Sequence, residues 1–119
     1  MDWHEALHQC FLLNAELATV DSVELLKQLR HNLPKRKFYW TAGVRVSSNM
    51  KQFIWLHTGE YITEYWQKGE PNSSPYRDER CVNLADSSGK YGLSDSLCEA
   101  KFHFICEKMT KKVFVELGI

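Results

Sequence analysis

The chain has 119 residues, enough for one domain around one hydrophobic core. Hydrophobic residues make up 44% and charged residues 25%, an ordinary globular balance. Fifteen basic residues cancel fifteen acidic ones, which excludes the basic field that nucleic acid or an anionic membrane surface would attract, and no apolar run reaches the roughly eighteen residues of a membrane-spanning helix.

In the opening "MDWHEALHQC", Asp2 is placed to cap a helix running to about Asn14. At about 100° per residue, Trp3, Ala6, Leu7, Cys10, Leu13 and Asn14 gather in one sector, the natural buried face. The same stretch holds His4-Glu5-x-x-His8. Zinc peptidases carry that pattern on a helix, with two histidines one turn apart on the metal and the glutamate as general base. Here the two histidines fall roughly 120° to 160° from the centre of the apolar sector, away from the packing side. No third histidine follows, and nothing orients Glu24 as a carboxylate ligand. The pair reads as two surface histidines, no nucleophile–base pair stands out elsewhere, and the chain is expected not to be an enzyme.

A second helix follows "LATVDS", with Asp21 and Glu24 as a capping box and Leu25, Leu26, Leu29 and Leu33 as its apolar stripe. Pro34 and the solvated run Lys35-Arg36-Lys37 end it. "FYWTAGV" reads as a buried strand, and "FIWLHTGEYI" as two short strands around a Thr-Gly turn. From about 63 to 79 the chain is a long polar loop with Gly69, Pro71 and Pro75, and loops of that length are usually functional or disordered. "RCVNLA", "KYGLS" and "FHFICEK" are three further strands. The order predicts an α+β domain.

Cys10, Cys81, Cys98 and Cys106 suggest disulfides and an oxidising compartment, with three connectivities open. The absence of a Cys-x-x-Cys pair argues against a zinc ribbon. No signal peptide precedes the first helix, which favours a fragment of a longer precursor over reduced cysteines.

The landmarks Trp3-x-x-Ala6-x-x-x-Cys10, Ala15-x-Leu17-Ala18, "YWTAG", Trp55, "TGE" at 58–60, Trp66, Gly69-Glu70-Pro71-Asn72, Cys81-Val82, Asp95-x-x-Cys98 and Phe104-Ile105-Cys106-Glu107 resemble the C-type lectin-like domain. The likeness covers about residues 3 to 108, and a domain over 1–108 with a tail at 109–119 is expected. It implies two helices, two small antiparallel sheets and a long loop region, stapled by Cys10–Cys106 and Cys81–Cys98. Trp55, Leu84 and Ile105 are expected in the core. Members of the family open with a strand before the first helix. Only Met1 and Asp2 precede Trp3 here, so the "FICEK" strand is expected to expose an edge if nothing lies upstream, which again favours a truncated segment.

Glu70-Pro71-Asn72 resembles the Glu-Pro-Asn motif of mannose-type lectins. Calcium takes six to eight oxygen ligands at about 2.3–2.6 Å. The resemblance implies a cage of Glu70, Asn72, Glu79 and Asp95, with Asp78 competing with Glu79, a cis bond before Pro71, and Arg77 and Arg80 flanking. Two neighbouring equatorial sugar hydroxyls would complete the coordination and bond to Glu70, Asn72 and Glu79. In "GLSDSLC", Ser94 stands where sugar-binding members carry asparagine, so weaker calcium and sugar binding is expected. Asn72-Ser73-Ser74 also spells a glycosylation sequon, and a glycan there would withdraw the amide.

The expected function is therefore calcium-dependent binding of mannose, N-acetylglucosamine or fucose-type glycans through Glu70, Asn72, Glu79, Ser94 and Asp95, by a secreted or extracellular protein of the kind used in innate immunity. A calcium-independent protein-recognition module on the same fold is the alternative. Single sites of this type bind weakly, so clustering into an oligomer would matter, though no collagenous or coiled-coil segment is present to provide it.

Overall fold

The computed structural model describes residues 1–34, 37–47, 52–72, 79–87, 90–108 and the backbone of 114–117. Lys35, Arg36, Ser73, Ser74, Pro75, Arg77 and Asp78 lie outside the described residues.

Helix α1 (Trp3–Leu12) opens on a reciprocal cap. Asp2 Oδ1 accepts from the Glu5 N–H at 2.9 Å, and Glu5 Oε1 accepts from the Asp2 N–H at 2.9 Å, so two N–H groups that a helix start leaves unpaired are satisfied at once. The helix stops short of the expected Asn14: Leu13 caps it, and Asn14 turns into the left-handed region at φ 56°, which asparagine tolerates better than most residues. Trp3, Ala6 and Cys10 are buried as the wheel predicts. Leu13 and Asn14 are exposed, because the helix has ended before it could turn them inward.

Helix α2 (Val23–Asn32) is capped by Ser22, whose Oγ accepts from the Leu25 N–H at 3.2 Å. The expected box of Asp21 and Glu24 is thus out by one residue, and the residue three on from the real cap is a leucine with no acceptor to return. Leu25, Leu26, Leu29 and Leu33 are buried.

Among the described residues, seven strands follow the helices or lie between them: β1 (Ala15–Leu17), β2 (Phe38–Val44), β3 (Ile54–Trp55), β4 (Cys81–Ser87), β5 (Lys90–Ser96), β6 (His103–Lys108) and β7 (Phe114–Leu117). They join in one sheet ordered β1-β6-β2-β4-β5, with β3 on β2 and β7 on β6. One sheet replaces the two small antiparallel ones expected, because β2 and β6 pair in parallel, Tyr39 opposite His103 and Trp40 opposite Phe104, and join the two halves. "FIWLHTGEYI" forms one strand, β3, and its second arm contributes a single bridge from Tyr61 to Ile54.

The edge expected at "FICEK" is absent. Cys106 lies opposite Leu17 of β1 and opposite Val115 of β7, so β6 has a neighbour on both sides. Neither β1 nor β7 was predicted. A three-residue strand carries too little alternation to register, and the tail held no pattern that suggested pairing.

The disulfides are Cys10–Cys106 and Cys81–Cys98, the pairing the resemblance implied. Trp55, Leu84 and Ile105 lie in the core. Two indoles tie the chain's start to β2: Trp3 Nε1 donates to Thr41 O at 2.8 Å, and Trp40 Nε1 to Met1 O at 3.1 Å. At Gly43 the sheet leaves no room for a side chain, since an added Cβ would meet Val82 Cβ at 2.6 Å and Ile62 Cδ1 at 2.9 Å. Gly43→Ala is therefore expected to destabilise the fold by about 1–3 kcal/mol, the usual range for overpacking, as a lower midpoint in urea unfolding.

Candidate functional site

The expected ligands sit where a loop is laid along strand β5. The loop is anchored by main-chain bonds in both directions: Leu93 N–H donates to Tyr65 O at 2.8 Å, and Gln67 N–H donates to Leu93 O at 2.8 Å. A turn then closes as Glu70 N–H donates to Gln67 O at 2.9 Å. Gly69 sits inside that turn at φ 84°, a region that residues with a Cβ rarely adopt. The Glu70–Pro71 bond is cis, as expected.

Past the proline, the Asn72 N–H donates to Asp95 Oδ1 at 2.9 Å. Asp95, opposite Val82 in the β4–β5 ladder, is 3% exposed, and Glu79, two residues before β4, is 8% exposed. Glu70 is half-buried, and its Oε2 is buried with no hydrogen-bond partner. Burial, then the close approach and charge of the Asp95 carboxyl and the charge of Glu79, push the Glu70 carboxyl up from 4.5 to about 7. Two carboxylates this close stay together most readily when one holds a proton.

The structure thus brings Glu70, Asn72 and Asp95 together and sets Glu79 near enough for its charge to act on Glu70. It does not gather three acidic side chains into a closed cation-holding group, and no such group of His, Cys, Asp or Glu occurs among the described residues. Ser94 lies opposite Asn83 while its neighbour Asp95 lies opposite Val82. Adjacent strand residues leave on opposite faces, so Ser94 starts from the face that Asp95 does not share. The competing Asp78, flanking Arg77 and sequon serines lie outside the described residues.

The residues present fit a hard cation. The donors are oxygens, most of them anionic, and Glu70 Oε2 is a buried acceptor short of a partner, which is costly to leave unmet.

The carboxyl shift sets a pH dependence. A group held protonated in the fold but ionised when unfolded makes unfolding easier as pH rises. In calcium-free protein the Glu70 contribution is fully present below pH 4.5 and is lost as pH rises to about 7. Thermal midpoints in EDTA should accordingly fall over that interval, and Glu70→Gln should flatten the fall.

The histidine pair of the first helix is not part of this site. His4 and His8 are exposed. The carboxylate of Glu5, the would-be base, is engaged by the Asp2 N–H at the start of α1 and accepts from Lys101 Nζ at 3.0 Å. The bond to the Asp2 backbone, then Lys101, hold its carboxyl below the usual range. The Asp2-x-x-Glu5 spacing is itself a capping pattern, and it was the signal in the sequence for this role.

The fold, the two disulfides and this loop define a class. The Lectin C-type domain model matches residues 1–108, and the chain belongs to that family. It is similar to the C-type lectin mannose-binding isoform of Notechis scutatus scutatus, 31% identical over 114 residues, covering 89% of this chain and 70% of that one. Lectin subunit alpha of Sarcophaga peregrina is 26% identical over 115 residues, and the chain spans 40% of its length. Among solved structures, the C-type carbohydrate-recognition domain of cow CD23, in the presence of GlcNAc2Man3 oligosaccharide, superposes with a TM-score of 0.72 at 27% identity, covering 87% of this chain and 75% of that one. No helix among the described residues is long and apolar enough to cross a membrane.

Proposed function

We propose that the chain is a calcium-dependent carbohydrate-binding module for mannose-type glycans, acting outside the cell. The observation that carries this reading is the buried, unpartnered Glu70 Oε2 beside Asp95. The cow domain crystallised with an oligosaccharide and the relative named as a mannose-binding isoform support the substrate class. Glu70, Asn72, Glu79 and Asp95 would hold the ion. Bound calcium supplies coordination places for two neighbouring sugar hydroxyls. The chain's own part is to accept hydrogen bonds from those hydroxyls on the Glu70 and Glu79 carboxylates and to donate one from the Asn72 side-chain amide. No bond is made or broken in the ligand. Ser94, shorter than the asparagine that sugar-binding members carry there, would lower the ligand count and the affinity.

That same geometry, with no closed three-residue cation group among the described residues, favours a second reading as a calcium-independent protein-recognition module. Retention on mannose-agarose in calcium, with release by EDTA, is expected. Indifference to EDTA would favour the second reading, and titration with no calcium binding at millimolar concentration would overturn the first.

A further inference from the structure

Three residues before the Glu70 carboxylate, Gln67 makes an unusual set of bonds. Its side-chain Nε2 donates to Ala85 O at 2.6 Å and to Lys90 O at 3.0 Å. Those carbonyls belong to different strands, β4 and β5, near the turn that joins them. Its main chain bonds Leu93 through N–H and Glu70 through C=O. One residue therefore links the hairpin tip, the middle of β5 and the turn that presents Glu70.

The residue beneath is matched to it. Gly92 pairs with Ala85 in the ladder. A Cβ there would lie 3.0 Å from Gln67 Cδ, 3.1 Å from Cγ and 3.2 Å from Nε2. Gly92 is not one of the positive-φ glycines among the described residues, so no left-handed backbone requires glycine at 92. What its bare Cα provides is space for the glutamine to lie flat across the strand.

The chemistry also selects glutamine. A primary amide nitrogen carries two N–H donors, one for each carbonyl. Glutamate has nearly the same shape but would turn acceptors toward two acceptors. Lysine at the next position, Lys68, is exposed and offers no substitute.

We propose that Gln67, seated over Gly92, is the positioning residue that fixes the Glu70-Pro71-Asn72 segment against the β4–β5 hairpin. It acts through Glu70 and does not touch the ligand. The proposal deepens the calcium-lectin reading, on which only its affinity consequence rests.

The test uses Gln67→Glu, Gln67→Ala and Gly92→Ala in the full chain. In EDTA, amide hydrogen exchange followed by NMR should quicken roughly tenfold at Glu70 and Asn72 in each variant, while Val82 and Leu84 in β4 stay unchanged. With calcium, the Kd of Gln67→Glu should rise about tenfold, as for other outer-shell supports, with the thermal midpoint in EDTA shifted by less than about 4 °C. Unchanged exchange at 70 and 72 would overturn the proposal, as would a uniform rise across the sheet, which marks a merely structural role. If wild-type protein binds no calcium, the lectin reading fails, and the exchange measurement still decides the role of Gln67.

Discussion

Asp95→Asn is expected to abolish retention on mannose-agarose in calcium and to raise the calcium Kd at least about tenfold, since calcium affinity follows the number and charge of its ligands. The substitution separates two tasks of one side chain. Asp95 Oδ1 accepts the Asn72 N–H at 2.9 Å, and its charge acts on Glu70. Asparagine keeps an acceptor oxygen of the same reach, so the loop stays docked while one negative charge disappears. Removing that charge also takes away one of the causes that hold Glu70 protonated. The fold in EDTA should survive, because the change relieves like-charge crowding in a site where Asp95 is 3% exposed. Isothermal titration and affinity chromatography read the effect. Undiminished calcium-dependent retention by Asp95→Asn would mean that the Glu70–Asp95 pair is not where the cation binds.

Removing Cys10–Cys106 with paired alanines is expected to cost about 4–5 kcal/mol on the loop-entropy account, and removing Cys81–Cys98 about 3 kcal/mol. The difference comes from sequence separation, 96 against 17 residues. The long closure spans almost the whole chain and ties α1 to the strand that also pairs with β1, Cys106 opposite Leu17. The short one joins the first residue of β4 to the segment after β5, on either side of Asp95. Urea unfolding should show the first loss as the larger. Equal losses would mean that chain entropy is not what separates the two bridges. Calcium affinity should respond more to the second, whose removal frees both strands that bracket the site.

Much of this was legible in residues alone. The buried stripe of α1, Trp3, Ala6 and Cys10, followed from helical spacing. So did the exposure of His4 and His8, which sets them apart from the inward-facing histidines of a zinc peptidase helix. The pairing of four cysteines was not deducible from their positions and came from resemblance. Other features failed for physical reasons. Ser22 and Asp21 are both good caps, and which is used depends on where the chain leaves β1, not on local propensity. Asn14 left the helix early through a backbone turn that no periodicity registers.

The sequence by itself determined the two helices, most of the longer strands and the core, because these depend on side-chain chemistry and on spacing of a few residues, while the candidate oxygen donors followed from the family resemblance. Only the tertiary structure decided what those donors face. Glu70 and Asp95 are 25 positions apart in number and meet because Leu93 holds the loop on β5. Gln67 finds two carbonyls on separate strands because Gly92 lets it pass, and the β7 backbone occupies a side of β6 expected to be bare. Each of these rests on the register between distant segments, and register is set by the packing of the whole sheet rather than by any one segment's own preference.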